Sequence, residues 1–272
     1  MLAGDIICLQ EVGEDYMSLL SDDLGKKGYT GQFCQKTLGT KEGLATFYNN
    51  TVFDCIAVEK ISYNEMLADA LEEEGIDYCG DAGYDRDHVF LVMKMKHLKT
   101  DLTVTVGNIH TIWDQFRQPD VTSLQVAQAL TRLVKIADGS PFIIAGDFNS
   151  SPSMPAYDLL CNGELTQDHK NKLVKAATCK VNNKCLFKAL EKHYTHSTPT
   201  LASSYLVVRG KEPGLTTYGH HPADFCLDYI WYTQGNLEAN SVLDTTLLSS
   251  RIPNSVFPSD HLSLKSTFSF TD

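Results

Sequence analysis

Five places in the 272-residue chain carry side chains able to do acid–base or metal chemistry. Gln10-Glu11 follows the apolar run at 5–9. Gly107-Asn108-Ile109-His110 ends a second run, and Gly146-Asp147-Phe148-Asn149 follows a third. Ser259-Asp260-His261 opens the last run, and Asp228 stands inside Cys226-Leu227-Asp228-Tyr229-Ile230-Trp231-Tyr232. An acid in such a run must be paired, metal-bound or shifted in pKa. Strands that deliver polar residues to one sheet edge are how a packed scaffold presents catalytic groups.

The donor types select the metal. Carboxylates with an amide, and no paired thiolates, favour Mg²⁺ or Mn²⁺ over zinc. His110 and His261 lack a second histidine at helical spacing, so a zinc-protease arrangement is unsupported. They suit contact with a phosphate and its proton network. Singly, each cluster also has a plainer reading: a strand-end cap at Glu11, an Asx turn at Asp147–Asn149, a satisfied core histidine at 110, a cap or strand-edge pair at 260–261.

Elements must bring these clusters together, and the pattern is mixed helix and strand. Helices are expected over 14–25, 63–74, 154–161 and about 185–193. One more is expected from an Asp120 cap to Gly139, with Val126, Leu130, Leu133 and Ala137 on one face. Strands are expected near 30–35, 44–48, 53–60, 141–145, 225–232, 237–243 and 261–270, with 89–96 and 102–110 as an antiparallel pair. No repeat or low-complexity linker divides the chain, so a single domain spanning 1–272 is expected.

Composition narrows the class. With 43% hydrophobic and 21% charged residues, the chain is not collagen, coiled coil or wholly disordered. No apolar run approaches the roughly 20 residues needed to span a bilayer, so no membrane partner is expected. The first residues lack the basic start and apolar core of a secretory signal. Eight scattered cysteines without a CxxC pair then read as reduced thiols in the cytoplasm. The net charge is −11, unlike a whole-surface polyanion binder. Segment 161–215 reverses that sign, with nine basic against four acidic side chains, and is expected to be a basic insert or rim along a substrate path. Its plainer reading is a solvated lysine-rich surface loop.

Together the clusters resemble the endonuclease/exonuclease/phosphatase superfamily, in the branch of the carbon-catabolite-repression deadenylases, nocturnin, angel and 2′-phosphodiesterase. The resemblance rests on Leu9-Gln10-Glu11, Asn108-Ile109-His110 with Trp113-Asp114, Gly146-Asp147-Phe148-Asn149, Leu227-Asp228-Tyr229 and Pro258-Ser259-Asp260-His261. It implies a four-layer α/β sandwich of two mainly antiparallel sheets, helices outside, here lacking the family's first strand. That strand carries a metal-site asparagine, so the resemblance implies an N-terminally truncated domain of low activity, and a mitochondrial or nuclear address becomes open if an upstream segment is missing. The implied roles are Glu11 for Mg²⁺ (or Mn²⁺), His110 for the scissile phosphate, Asp147 for the attacking water and Asn149 for the phosphate. Asp228 and Asp260 would orient the histidine network and His261 would serve metal or phosphate, with Asn108 and Trp113 toward substrate. The implied activity is phosphodiester hydrolysis, 3′-to-5′ on RNA, poly(A) or 2′,5′-oligoadenylate. A phosphatase of small nucleotides or RNA ends, and a catalytically silent scaffold, are the alternatives.

Overall fold

The computed structural model describes residues 4–37, 39–77, 87–113, 115–176, 180–182, 184–198, 201–218, 225–245 and 251–271. Asp114, Cys79 and Cys179 lie outside these. The chain runs β1 (Ile6–Gly13), α1 (Glu14–Gly25), β2 (Tyr29–Gln35), β3 (Glu42–Asn49), β4 (Phe53–Ser62), α2 (Tyr63–Glu73), β5 (Val89–His97) and β6 (Thr103–His110). There follow α3 (Pro119–Ala137), β7 (Phe142–Asp147), α4 (Pro155–Asn162), α5 (Gln167–Ala176), and the short pair β8 (Lys180–Val181) and β9 (Lys184–Cys185). The remainder is α6 (Leu186–Ala189), β10 (Leu201–Ser203), α7 (Ser204–Arg209), β11 (Asp228–Thr233), β12 (Leu237–Val242) and β13 (Ser266–Phe270).

A six-stranded sheet, ordered β10-β11-β7-β6-β5-β4, is antiparallel except where β6 runs parallel to β7. One of its faces packs on helices. Phe142 and Ile144 of β7 and Tyr229 and Trp231 of β11 share a core with Val126, Leu130 and Leu133 of α3. Its other face carries Met93, Met95, Val104 and Val106 against Ile6 and Cys8 of β1, Tyr48 of β3, and Leu237 and Phe268 of β12 and β13. The second sheet is β1-β3-β2, with α1 on its far side, and β12-β13 forms a separate two-stranded piece. This is the expected sandwich of sheets with helices outside. No helix among the described residues is long and apolar enough to cross a membrane.

Four elements differ from the sequence expectation. Asp120 lies in the first turn of α3 instead of capping it, because Pro119 takes the N1 position that its fixed φ suits, and Gln118 is the cap. The helix expected over 185–193 breaks at Leu190 into α6 and a single 3₁₀ turn, and α5 forms where no helix was expected. The last strand starts at Ser266, not His261, because residues 260–262 pair instead with 216–218.

Candidate active site

Strand register assembles the site. In the parallel pair β6/β7, His110 lies opposite Asp147, and in the antiparallel pair β7/β11, Asp228 lies opposite the same Asp147. Three chemistry-bearing residues far apart in sequence thus share one end of three neighbouring strands. Gly146 makes this possible. A Cβ there would sit 2.0 Å from the Ile109 carbonyl, and its φ of +141° is one that side chains rarely adopt.

Asp147 is split between two tasks. Its Oδ1 accepts the Asn149 N–H at 2.7 Å, the Asx turn that short polar residues form, while its Oδ2 faces His110 Nε2 at 3.7 Å and His261 Nε2 at 3.9 Å. Asn149 has φ +45° and gives one amide hydrogen of Nδ2 to the Thr111 carbonyl at 2.9 Å. His261 arrives from the loop before β13. Its Nδ1 meets Asp228 Oδ2 at 2.9 Å. The carboxylate that holds this imidazole is therefore Asp228. Asp260 contributes its negative charge to His261 and its backbone carbonyl to Tyr218.

Burial tunes these groups apart. Loss of water around Asp147, reinforced by the charges of Asp228 and Glu11, raises its carboxyl from 3.8 to about 8. Burial by itself works to lower His261, but the hydrogen bond and charge of Asp228 and the charge of Asp147 override it, raising the imidazole from 6.5 to about 9. His110 goes the other way. Burial, then the charges of His88, Lys36 and His261, hold it well below 6.5 and therefore neutral.

Glu11 and Asn108 occupy the second-sheet side. A bulge between Leu9 and Val12 gives Glu11 a φ of +56° and leaves it exposed, close enough for its charge to act on Asp147. Asn108 is 0% exposed. Its amide donates to the Leu9 and Ala45 carbonyls and to Thr46 Oγ1, and its Oδ1 accepts from Gln10 Nε2 at 2.7 Å. It is a joint between the sheets, beneath the strand that carries Glu11, and not a group open to substrate. Trp113 lies 65% exposed, and Phe116 contacts Phe225 ring to ring, tilted, with centroids 5.7 Å apart; the Phe225 backbone pairs with Thr217 beside His261.

Two residues escaped the sequence reading. His88 packs its ring edge-to-face on His110 at 5.5 Å, next to Asp87. Lys36, in the β2–β3 turn, has a buried side chain paired with Glu42, and its charge reaches His110. His88 was findable, since it immediately flanks an apolar strand, as Glu11, His110 and Asp147 do. Lys36 in a polar turn gave no such signal. Within the basic segment α5 and α6 pack over the helical layer, whereas α7 lies against β11 and β12. The segment's lysines at 188 and 192 pair with Glu191 and Glu74, the latter at the end of α2. The start of α2 touches His88, and Glu74 with Lys192 lies at the other end of that helix.

The Asp147, Asp228 and His261 ligand atoms lie within 4.8 Å of one another. A buried carboxyl that water poorly stabilises, beside a second carboxylate, is a donor set that a hard divalent cation fits.

The sequence profile of the Endonuclease/Exonuclease/phosphatase family matches residues 1–261. The chain belongs to that family. Among curated relatives, it is 28% identical to the CCR4-Not complex 3′-5′-exoribonuclease subunit Ccr4 of Mycosarcoma maydis, over 98% of this chain and 44% of that one. The Ccr4 subunit of Yarrowia lipolytica is 29% identical over 98% and 42%. The chain thus spans less than half the length of the curated relatives it matches. Among solved structures, ANGEL2, a 2′,3′-cyclic phosphatase, superposes with a TM-score of 0.74 at 24% identity, covering 97% of this chain and 81% of that one. The human Nocturnin catalytic domain with bound sulfate gives 0.65 at 24% identity, covering 98% and 81%. These two likenesses are of fold.

Proposed function

We propose that this family member is a Mg²⁺- or Mn²⁺-dependent phosphodiester hydrolase that shortens RNA, oligoadenylate included, from the 3′ end. The observation that carries the reading is the convergence of Asp147, Asp228, His110 and His261 at one end of three register-locked strands. The 3′-5′-exoribonuclease name of the Ccr4 relatives supports the direction.

The residues divide the work by their protonation states. His261, charged at neutral pH and held by Asp228, offers Nε2–H to a negatively charged phosphate oxygen. His110, neutral, gives a hydrogen bond without adding charge. Asp147 Oδ2, kept free of the Asx turn, would orient the attacking water and take its proton only in the ionised form, which a bound cation would favour over the neutral acid that burial alone favours. The second amide hydrogen of Asn149 steadies the phosphate. Glu11, Asp147 and Asp228 would hold a divalent ion, which would supply charge stabilisation at the non-bridging oxygens. Trp113 and the Phe116/Phe225 pair offer flat apolar faces on which nucleobases stack.

The test is digestion of 5′-labelled oligoadenylate with Mg²⁺. A ladder shortening one nucleotide at a time from the 3′ end supports the reading. Intact oligonucleotide with phosphate released from a small nucleotide or RNA end would replace it with a phosphatase, and no turnover of either would favour a silent scaffold.

A further inference from the structure

Asp228 and His261 come from separate segments, yet one residue outside both ties them. The Thr216 hydroxyl oxygen accepts the Leu227 N–H at 2.9 Å and the Asp228 N–H at 3.1 Å. Its carbonyl accepts the Leu262 N–H at 2.7 Å, and Tyr218 N–H donates to the Asp260 carbonyl at 2.9 Å. Thr217 thereby lies directly opposite His261 in an antiparallel bridge. Thr216 is 0% exposed, so water cannot replace these bonds.

The strap bearing Thr216 is anchored upstream. Glu212 accepts a hydrogen bond from Tyr157 of α4 at 2.8 Å and from Ser203 at 3.0 Å, and Ser203 itself caps α7. The strap is thus fastened to two helices before it reaches the site. Both hydroxyl lone pairs of Thr216 point at the backbone that enters β11.

We propose that Thr216 is a positioning residue for the Asp228–His261 pair, with Glu212 fixing the strap that carries it. The proposal rests on the hydrolase reading for its consequence in rate and on the hydrogen bonds for its consequence in structure. Catalytic groups misplaced by about 1 Å lose up to roughly a hundredfold in rate. Neither Thr216 nor Glu212 touches substrate in this account.

The experiment compares Thr216→Val, nearly isosteric but without the acceptor, with Thr216→Ser, which keeps it. Turnover of labelled oligoadenylate and amide hydrogen exchange are both read. In Thr216→Val, kcat falls roughly ten- to a hundredfold with KM within about twofold. The Leu227 and Asp228 amides exchange about tenfold faster. Thr216→Ser recovers most of both. Glu212→Ala gives the same changes in smaller degree and Glu212→Gln restores them, a comparison that stands even if Thr216→Val does not fold. Unchanged amide exchange in both Thr216→Val and Glu212→Ala, or failure of Thr216→Ser to rescue, overturns the proposal. A wild-type chain that turns over no substrate refutes the hydrolase reading instead, and the exchange measurements still decide whether Thr216 holds the pair.

Discussion

The two sides of the site are built differently. On the large-sheet side, His110, Asp147 and Asp228 sit at the ends of strands paired with neighbours on both edges, and all three are buried. On the second-sheet side, Glu11 is exposed in a bulge of β1, which pairs with β3 alone and has no strand on its other edge among the described residues. The cover over the large sheet shows the same division. Met93, Met95, Val104 and Val106 on β5 and β6 are buried to 2% exposure or less. Ile143 and Ala145 of β7 and Ile230 of β11 are only half-buried. The inference is that the large sheet fixes the acid–base groups, whereas the Glu11 side is adjustable. Substitutions should therefore act on rate on one side and on metal affinity on the other.

The largest effect is expected at Asp147. Asp147→Ala removes the proton acceptor and should lower kcat by about 10³-fold or more with the fold retained. Asp147→Asn sharpens the point. The buried carboxyl, raised to about 8, opposes folding increasingly as pH rises from 3.8 toward 8. An amide removes that opposition and keeps an acceptor for the Asn149 N–H. Metal-free Asp147→Asn at pH 8 should melt about 2–4 °C higher than wild type while remaining inactive. A variant both active and less stable contradicts the assignment.

Glu11→Gln should act more gently. It should weaken Mn²⁺ binding by calorimetry about tenfold, with kcat at saturating metal falling by less than the affinity does. Equal losses in both would erase the distinction between the two sides.

The pH dependence of metal-free stability reports on His261 most cleanly above pH 8, where the Asp147 contribution has levelled off. The histidine's folded pKa of about 9 lies above the ordinary 6.5. Its stabilisation is therefore complete below 6.5 and lost as pH rises through about 9. Melting temperature should decline across that window, and Asp228→Asn should flatten the decline. An unchanged slope in Asp228→Asn would show that the 2.9 Å pair does not hold in solution.

The smallest effect is expected in the basic segment. Lys188 and Lys192 are already paired with Glu191 and Glu74, at the end of α2 away from His88. Replacing Lys184, Lys188 and Lys192 by Ala should leave kcat/KM within about twofold. A tenfold loss with a flattened salt dependence would return the segment to the substrate path.

The contrast also explains what the sequence made legible. Glu11, His110, Asp147 and Asp228 each interrupt or flank an apolar run that announces the strand carrying them to an edge, whereas His261 reaches the site from the loop before β13. Which carboxylate holds His261 was not legible, because Asp260 is adjacent in sequence while Asp228 becomes adjacent only through β11. Asn108 looked like a substrate contact for the same reason: its position near His110 is local, but the carbonyls of Leu9 and Ala45 that bind its amide come from the other sheet. Lys36 and Thr216 lie in turns, where polar residues are ordinary, and only tertiary hydrogen bonds and burial distinguish them.

The central claim is that these carboxylates work around a hard divalent cation, and chelation with add-back tests it most directly. Purified protein is stripped with excess chelator, exchanged into metal-free buffer, and assayed for mononucleotide release from labelled oligoadenylate with Mg²⁺, Mn²⁺ or Zn²⁺. The account predicts no release after stripping, recovery with Mg²⁺ or Mn²⁺, and no recovery of wild-type turnover in Asp147→Asn with any of the three. Release that persists in excess chelator, or returns with Zn²⁺ alone, would contradict it.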